Sequence, residues 1–355
     1  MTEYHFCTYF DRNYCEKGLA LYQSIEKNIG SFKIYILCLD EETYAILNSL
    51  DLQSAELIQL KDLEYRDVLF YNSKQTRSLI EYYFTCTPVF ILDILNQHPE
   101  ISIITYLDAD TYLFGSVEPA YEEMAEKSIL IVEHRFPECL QRYIKFGRFN
   151  IGYLSFRNND EGKGCLQWWR TKCIEWCYDY LDGDRFADQK YLDQWPNLFL
   201  DLKILDHKGI NIAPWNVLNY CFSKDTSGQY FVDDIPILLI HFHGIKELFT
   251  FPLLVGYDID LSNKIGNYRF YDIGGHGVLQ EIYRNYLLHL LKCRSIIRQT
   301  CGDSQFYGGS IRINESAGKG KNSGFITKLK NIGFRLKQLL EKIYNHDIIV
   351  VSVYK

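Results

Sequence analysis

Short apolar segments alternate with helical patterns through the first third of the chain, and this alternation constrains the fold more than any other feature. We predict strands at Tyr4–Phe10, Lys33–Leu39, Glu56–Leu60 and Ile101–Leu107, and helices at Tyr14–Asn28, Glu41–Leu50 and Lys74–Asn96. Strands that are apolar on both faces and separated by helices are typical of a parallel sheet. The last helix should break near Pro88, because proline donates no amide hydrogen within a helix. The pattern therefore predicts an α/β fold.

The rest of the chain divides into an aromatic middle region and a basic C-terminal region. In the middle we predict strands at Ser128–Val132, Phe149–Phe156 and Ile235–Phe242, and helices at Gly162–Tyr180 and Phe186–Trp195. Beyond Gly274 the pattern becomes helical, then rich in Gly and Ser, then amphipathic over Phe325–Tyr344. We predict a globular domain over 1–275, a C-terminal helix over 276–300, a flexible linker over 301–324 and a basic amphipathic tail over 325–355.

Charge is distributed unevenly along the chain. Residues 284–342 contain twelve Lys or Arg and three acidic residues, a balance of +9. Residues 1–283 have a balance of −16, and the whole chain has a net charge of −7. The stripe of apolar residues in 325–344 fits either a helix docked on its own domain or one that lies on an anionic membrane surface. An acidic body without a basic groove argues against nucleic acid as a partner.

The N-terminus and the cysteines both indicate the cytoplasm. Glu3 and Asp11 lie where a signal peptide needs an apolar stretch, and we find no run of about eighteen apolar residues. The eleven cysteines are odd in number and dispersed, unlike a secreted disulfide framework. We interpret Cys173 and Cys177 as packed thiols. The expected location is cytoplasmic, with peripheral attachment to the inner face of the membrane as an option.

An acidic motif follows the fourth predicted strand directly, as Tyr106-Leu107-Asp108-Ala109-Asp110. In parallel α/β sheets, ligands bind beyond the carboxyl ends of the strands. Two carboxylates at this spacing can hold a divalent metal, which prefers oxygen ligands and can bridge a diphosphate. A lone pair of this kind is more often a solvated turn, but a buried strand that leads into it favours a site.

Two histidines share one face of a later strand, in His241-Phe242-His243-Gly244-Ile245-Lys246. A neutral imidazole can complete a metal shell, and a lysine can contact a phosphate as a point charge. A glycine permits close approach of the backbone to a ligand. A histidine at a strand end is more often structural, yet the combination favours function.

These motifs resemble those of GT-A-fold nucleotide-sugar transferases, in particular glycosyltransferase family 8 and a set of bacterial polysaccharide-cluster glycosyltransferases. The matching pieces occur in family order over about residues 4–250: Phe6-Cys7-Thr8 with Asp11 and Tyr14, Tyr106 to Asp110, Phe149-Asn150-Ile151-Gly152, Asp188-Gln189, and His241 to Gly244 with Lys246. The resemblance implies a GT-A (Rossmann-like) fold, whose mixed, mainly parallel sheet is flanked by helices and is followed here by a helical C-terminal extension.

The resemblance also implies roles for residues. Asp108, Asp110 and His241, with His243 as the alternative, would bind Mn²⁺ or Mg²⁺. Donor contacts would come from Cys7, Thr8, Asp11, Tyr14, Arg77, Asp108, Asn150, Gly152, Gly244 and Lys246, and the catalytic residues would be Asp188 and Gln189. The implied activity is hexosyl transfer from a nucleotide-sugar, UDP-linked and with retention, to a glycan or lipid-linked acceptor in surface polysaccharide synthesis.

The sequence departs from the family in two places and leaves several alternatives open. Phe84 occupies the position of a sugar-contacting arginine, for which Arg77 is the substitute candidate, and Glu247-Leu248-Phe249 replaces the usual Lys-Pro-Trp after the histidine motif. An inverting enzyme would need a base, either Asp188 or Asp193. Trp195 and Trp215 are candidate acceptor contacts. The competing functions are a non-catalytic nucleotide-sugar-binding scaffold and a phosphotransferase that uses Asp108.

Overall fold

A seven-stranded sheet forms the centre of the molecule, in the order β3-β2-β1-β4-β7-β6-β8. The computed structural model describes residues 3–251, 254–258, 274–301 and 348–352, and for 246, 248–251, 254–258 and 348–352 it describes the backbone. The strands are β1 Tyr4–Phe10, β2 Phe32–Cys38, β3 Ala55–Gln59, β4 Ile103–Leu107, β6 Ile129–Glu133, β7 Phe149–Arg157 and β8 Leu202–Ile204. Strand β7 runs antiparallel to both neighbours, and the other pairings in this sheet are parallel. The expected α/β class with a mixed, mainly parallel sheet is confirmed.

Helices cover both faces of this sheet. They are α1 Cys15–Asn28, α2 Glu41–Leu50, α3 Leu60–Arg66, α4 Val68–Ser73, α5 Leu79–Gln97, α6 Glu118–Met124, α7 Asp160–Glu175, α8 Trp195–Leu198 and α9 His276–Cys301. One buried apolar cluster joins the sheet to α1, α2 and α9, and a second joins it to α5 and α7. The sheet is therefore buried on both sides, as its apolar strands require. In the described part of the chain, no helix combines the length and hydrophobicity that a membrane crossing needs.

Small sheets follow the central one. Strand β5 Thr111–Leu113 pairs with β12 Leu239–His241, and β9 Phe222–Lys224, β10 Tyr230–Val232 and β11 Ile235–Pro236 form a second sheet. The third contains β13 Lys246–Phe251, β14 Leu254–Asp258 and β15 Ile348–Ser352. Strand β15 belongs to the region predicted as the tail, and it pairs antiparallel with β14. The predicted linker and the amphipathic segment 325–344 lie outside the described residues.

Four predictions of local structure were wrong. The predicted helix Phe186–Trp195 is a 3₁₀ turn over Gln189–Gln194, followed by the short helix α8. Helix α5 is continuous through Pro88, and the Thr87 hydroxyl lies 3.2 Å from the Phe84 carbonyl oxygen that the missing amide would have used. Helix α7 ends at Glu175 rather than at residue 180. The predicted strand 235–242 is two strands, β11 and β12, because its two ends pair with different partners, β10 and β5.

Trp169 of α7 connects the helical layer to the site. Its buried indole N–H donates a 2.8 Å hydrogen bond to the carbonyl oxygen of Asp188, a residue of the loop before the 3₁₀ turn 189–194. We expect Trp169→Phe to lower the free energy of unfolding by about 1–3 kcal/mol, since it leaves this carbonyl without its donor and removes apolar volume. Urea unfolding measures the effect.

The matched control is Trp168→Phe, one residue earlier on the same helix. Trp168 is half-buried and makes edge contacts with Tyr191 and Phe199. Its replacement should cost less than half as much. Equal losses for the two variants would contradict the role assigned to the Trp169 hydrogen bond.

Candidate metal and sugar-nucleotide site

The two aspartates lie in the short connection between β4 and β5. The backbone N–H of Asp108 donates to Gly152 O of β7 (3.4 Å), and the Thr111 N–H and hydroxyl both donate to Asp108 O (3.0 and 2.8 Å). The Tyr106 hydroxyl donates to Asp108 Oδ1 at 2.8 Å. These bonds fix the turn, so both carboxylates are held at the carboxyl end of the buried strand.

Strand pairing brings a distant histidine to these carboxylates. In the β5–β12 pair His241 lies opposite Thr111, and the Phe242 N–H donates to Asp110 O at 2.8 Å. The buried His241 Nε2 lies 3.0 Å from Asp110 Oδ1 and 3.6 Å from Asp108 Oδ2. The imidazole and the acidic pair therefore share one side of the molecule.

The donor set fits a divalent cation. Ligand atoms of Asp110, His241 and His243 lie within 4.8 Å of one another, and Asp108 adjoins them through His241. Carboxylate oxygens suit Mg²⁺ and Mn²⁺, and imidazole is a common ligand of transition metals. His241 Nδ1 is buried without a hydrogen-bond partner among the described residues. Both histidines converge on the aspartates, so the geometry keeps His241 and His243 as ligand candidates.

Lys17 is a charged neighbour that the sequence did not reveal. It lies on α1 one turn after Tyr14, with Nζ 3.7 Å from Asp110 Oδ2 and 4.0 Å from the centre of the Tyr14 ring. Burial by itself would raise the pKa of the Asp110 carboxyl, but His241 and Lys17 hold that pKa well below its usual range. Burial raises the pKa of the Asp108 carboxyl, against the opposing effect of His241. The two carboxylates thus have distinct environments.

Two cavities meet at this cluster, of about 620 Å³ and about 570 Å³. We call them the first and the second cavity. Residues that line both are Tyr9, Phe84, Asp108, His241 and His243. A ligand with two parts joined by a charged group could therefore place one part in each cavity and its charge at the cluster.

Asn150, Asp188 and Gln189 line the first cavity. Both ends of the Asn150 side-chain amide have a partner, which fixes its orientation. The Oδ1 accepts from the Gly152 N–H (3.0 Å), and the Nδ2 lies 3.4 Å from His134 Nε2. The His134 Nδ1 lies 3.3 Å from Arg148 O, which assigns the hydrogen to Nδ1. Burial lowers the pKa of His134 to about 3, so this ring is neutral. His134 was not among the site residues predicted from the sequence.

Asp188 is a buried carboxyl that faces the first cavity. Its Oδ2 accepts a 2.8 Å hydrogen bond from the Thr87 hydroxyl, which also shares a 3.0 Å hydrogen bond with the Tyr9 hydroxyl. Burial raises the pKa of Asp188 to about 7, and the Thr87 bond opposes the shift. Other titratable groups that interact with it are Tyr9, Cys86, Asp108 and Cys173.

Of the four donor contacts predicted near the end of β1, Asp11 and Tyr14 line the second cavity, and Cys7 and Thr8 line neither cavity. Cys7 and Thr8 are fully buried in β1, and the first residue of this strand that lines the cavities is Tyr9. Side chains alternate between faces along a strand, so the end of β1 contributes fewer of them to the cavity than the motif suggested.

Arg77 is likewise placed away from both cavities. Its guanidinium donates to the carbonyl oxygens of Cys173 and Ile174 at 3.4 and 3.1 Å and lies 4.0 Å from the Tyr178 ring. Arg77 therefore caps the end of α7. Phe84, at the position of the family arginine for which Arg77 was the substitute candidate, lines both cavities.

Of the two candidate tryptophans, Trp215 reaches the site. It lines the first cavity and contacts His241 and His243 edge-on, at 5.2 and 5.5 Å between ring centres. Trp195 is fully buried against Trp169. Gly244 has φ of +80°, which favours glycine at the turn before β13, and the side chain of Lys246 lies outside the described atoms.

Gly152 is required by the close approach of β7 to the histidine. A Cβ at this position would lie 2.6 Å from His241 Nδ1 and 2.8 Å from Asn150 Oδ1. We expect Gly152→Ala to destabilise the protein by about 1–3 kcal/mol in urea unfolding, because the imidazole must shift. Gly164→Ala on α7 meets nothing within 4 Å and should be neutral or stabilising. Similar losses for both variants would contradict this packing constraint.

The raised pKa of Asp188 predicts a pH-dependent contribution to stability. Because the folded-state pKa is about 7 against the ordinary value of 3.8 for an aspartate, the folded chain holds this proton more tightly than the unfolded chain between about pH 4 and 7. The contribution is most favourable below about pH 4, falls as pH rises to about 7, and is level above that. Asp188→Asn removes this pH dependence. As pH rises from about 4 to about 7, the free energy of unfolding of the variant should therefore increase by up to about 4 kcal/mol relative to that of the wild type. Denaturant unfolding at several pH values measures the difference, and a pH-independent difference would contradict the assignment.

No protein-family model matches the chain. It is 27% identical over 293 residues to the uncharacterized protein YfnD of Bacillus subtilis (strain 168), covering 82% of this chain and 89% of YfnD. It is similar to the solved structure of the galactosyltransferase LgtC in complex with donor and acceptor sugar analogs, at 15% identity and a TM-score of 0.44, over 68% of this chain and 87% of LgtC. It is 31% identical over 250 residues to the uncharacterized Bacillus subtilis protein YfnF, covering 68% of this chain and 81% of YfnF. The chain therefore belongs to the family of YfnF.

Proposed function

We propose that the protein is a metal-dependent glycosyltransferase that moves a hexose from a UDP-sugar to a glycan or lipid-linked acceptor in surface polysaccharide synthesis. The observation that carries this proposal is the position of the Asp108, Asp110 and His241 cluster where two cavities meet, since Asp108 and His241 line both cavities and Asp110 lines the second. A nucleotide-sugar has this architecture: a planar base, a sugar, and a diphosphate between them.

The two cavities differ in chemistry, and this suggests which end of the donor each one takes. The second cavity contains aromatic residues and one carboxylate at the end of β1, namely Phe10, Tyr14, Tyr83 and Asp11. Aromatic faces stack on a nucleobase, and a carboxylate accepts from its N–H or from ribose hydroxyls. The first cavity has Asn150, Asp188 and Gln189, which suit sugar hydroxyls. We therefore assign the nucleoside to the second cavity, and the transferred sugar and acceptor to the first.

The proposed cofactor is Mn²⁺ or Mg²⁺, held by Asp108, Asp110 and His241, with His243 as the alternative. Such an ion would neutralise the diphosphate as it leaves, when the sugar acquires oxocarbenium character. The chain itself contributes a cation, Lys17 beside Asp110, and we assign a second contact with the diphosphate to Lys246, at the start of β13. Charge of this sign helps catalysis because it stabilises the transition state more than the ground state.

For the stereochemical outcome we propose retention. One candidate base for inversion, Asp193, is occupied elsewhere, since its carboxylate accepts from the Arg148 N–H (2.7 Å) and from Lys190 (3.3 Å). Asp188 and Gln189 then remain as the polar groups next to the anomeric carbon. The anomeric configuration of the product, read by NMR coupling constants, tests this directly, and an inverted product would reassign Asp188 as the base.

Loss of one cluster carboxylate tests the proposed activity. We expect Asp110→Asn to lower Mn²⁺-dependent turnover of the accepted UDP-sugar by at least about 100-fold. The variant would hold the cation less well, and the leaving diphosphate would lose the positive charge that stabilises it. A panel of nucleotide-sugars screened by thermal shift with Mn²⁺ identifies the donor, since a bound ligand raises the melting temperature. Asp184→Asn, the same change at an exposed loop position, serves as the control.

The outcomes separate the competing functions. Binding of a nucleotide-sugar without transfer or hydrolysis would support the scaffold. A covalent phosphate on Asp108 would support the phosphotransferase. Failure of every nucleotide-sugar to bind in the presence of Mn²⁺ would overturn the proposed activity.

The acceptor is proposed to be membrane-linked, on the basis of the basic apolar segment 325–344. Deleting everything from Phe325 onward would also remove β15, which pairs with β14, so substitutions are the sharper test. We expect the triple change of Lys328, Lys330 and Lys337 to Gln to weaken co-sedimentation with phosphatidylserine vesicles, because each basic residue near the surface contributes about 1 kcal/mol. Unchanged binding to these vesicles would refute the membrane role.

A further inference from the structure

Helix α9 follows the predicted catalytic domain in sequence, yet it packs on the segments that carry the cation cluster. Eight of its side chains are buried, and they join the same apolar cluster as α1 and β5. Three separate contacts of this helix reach residues next to the site, and each involves a different segment of the chain.

The first contact holds the histidine segment. Phe242, which lies between His241 and His243, stacks on Tyr286 with 3.8 Å between ring centres and 6° between ring planes, and meets Tyr283 edge-on at 5.0 Å. Phe242 is fully buried. Because successive residues of an extended segment point to opposite sides, anchoring Phe242 on α9 directs its two neighbours toward the cluster.

The second contact holds the strand that follows the acidic pair. Tyr112 is two residues after Asp110, and its hydroxyl lies 3.0 Å from His289 Nδ1. The other ring nitrogen of His289 lies 2.7 Å from Gln23 Oε1 on α1. His289 therefore links β5 to α1 through α9.

The third contact is ionic and joins three segments. Arg294 donates to both carboxylate oxygens of Glu16 on α1 (2.6 and 3.0 Å) and to Glu247 of β13 (2.5 Å). The three side chains are only 11%, 14% and 16% exposed, so solvent screens this network weakly. Charge-assisted bidentate pairs of this kind fix geometry as well as adding energy.

Both carboxylates are adjacent in the chain to cations of the proposed site. Glu16 precedes Lys17, which reaches Asp110, and Glu247 follows Lys246. Removal of the guanidinium would take away the group that both partly buried carboxylates bind, so the connection between α1 and β13 would weaken. The segment most affected runs from Gly244 to Glu247, from the turn after the histidines into the start of β13.

We propose that Arg294 is a positioning residue for the diphosphate side of the site, and that the catalytic unit extends through α9 to residue 301. Arg294 acts by holding Glu16 and Glu247 together, which fixes the start of β13 relative to Lys17 and α1. The ligand is a nucleoside diphosphate with its divalent cation. The positioning role for that ligand rests on the proposed function, whereas the ionic connection between segments does not.

Three variants test the proposal: Arg294→Ala, Arg294→Lys, and Arg298→Ala as a control for loss of an exposed cation one turn along the same helix. In the free protein, hydrogen exchange at peptides covering 239–250 should be about tenfold faster in Arg294→Ala than in the control, since local opening becomes easier. The lysine variant should be intermediate, because it keeps the charge and loses the fork. Melting temperature reports whether each variant is folded.

Binding of UDP with Mn²⁺ by calorimetry gives the second readout. Arg294→Ala should weaken it about tenfold while Arg298→Ala leaves it unchanged. Equal exchange in the two alanine variants would overturn the ionic connection, and faster exchange with unaltered UDP affinity would overturn the positioning role. If the wild type itself does not bind UDP with Mn²⁺, the proposed function and the positioning role fail together, while the exchange comparison still decides whether Arg294 holds the segment.

Discussion

The pairing of β5 with β12 is the interaction on which the site depends. Each strand has three residues, and their register places His241 opposite Thr111, directly after Asp110. An isolated ladder of this length would be unstable in water. Here it is supported on two sides, by the hydrogen bond from the His241 N–H to Ile212 O (2.7 Å) and by the stack of Phe242 on α9. The site thus depends on a weak local interaction that becomes specific through the elements packed around it.

Burial of two carboxylates in this place has an electrostatic cost, and the surrounding groups offset it unequally. Asp110 faces His241 and Lys17, whereas Asp108 receives the Tyr106 hydroxyl. The pKa of His241 is raised despite its burial, chiefly by Asp110. A divalent cation would occupy the same position between these groups as that proton, so protons and metal would compete for the site. The cluster is therefore electrostatically prepared for a cation before one binds.

Much of the sheet and part of the site could be predicted from the sequence, because both depend on strands. Apolar runs identified the four parallel strands β1 to β4, and residues at their ends, such as Asp108 and Asp110, fell where ligands bind. Lys17 was missed because it lies within a helix of ordinary composition, and His134 because it directly follows a strand of ordinary composition; tertiary packing sets the direction of each side chain. Arg77 and Trp195 were misplaced for the same reason: sequence position shows proximity to a motif, whereas the direction of the side chain decides whether it contacts the cavity or the core.

The C-terminal charge excess does not mark the end of the folded unit. The basic region begins at Arg284, in the middle of α9, whose buried face continues the core of the preceding residues. Of its twelve cations, four lie on α9, and one of these, Arg294, is engaged by Glu16 and Glu247. Residues 302–342 keep eight cations and three acids, a balance of +5. The balance that lies beyond α9 is therefore about half of the +9 counted from Arg284. A segment 325–344 that binds a membrane surface would draw on this smaller balance, at about 1 kcal/mol per basic residue, together with its apolar stripe.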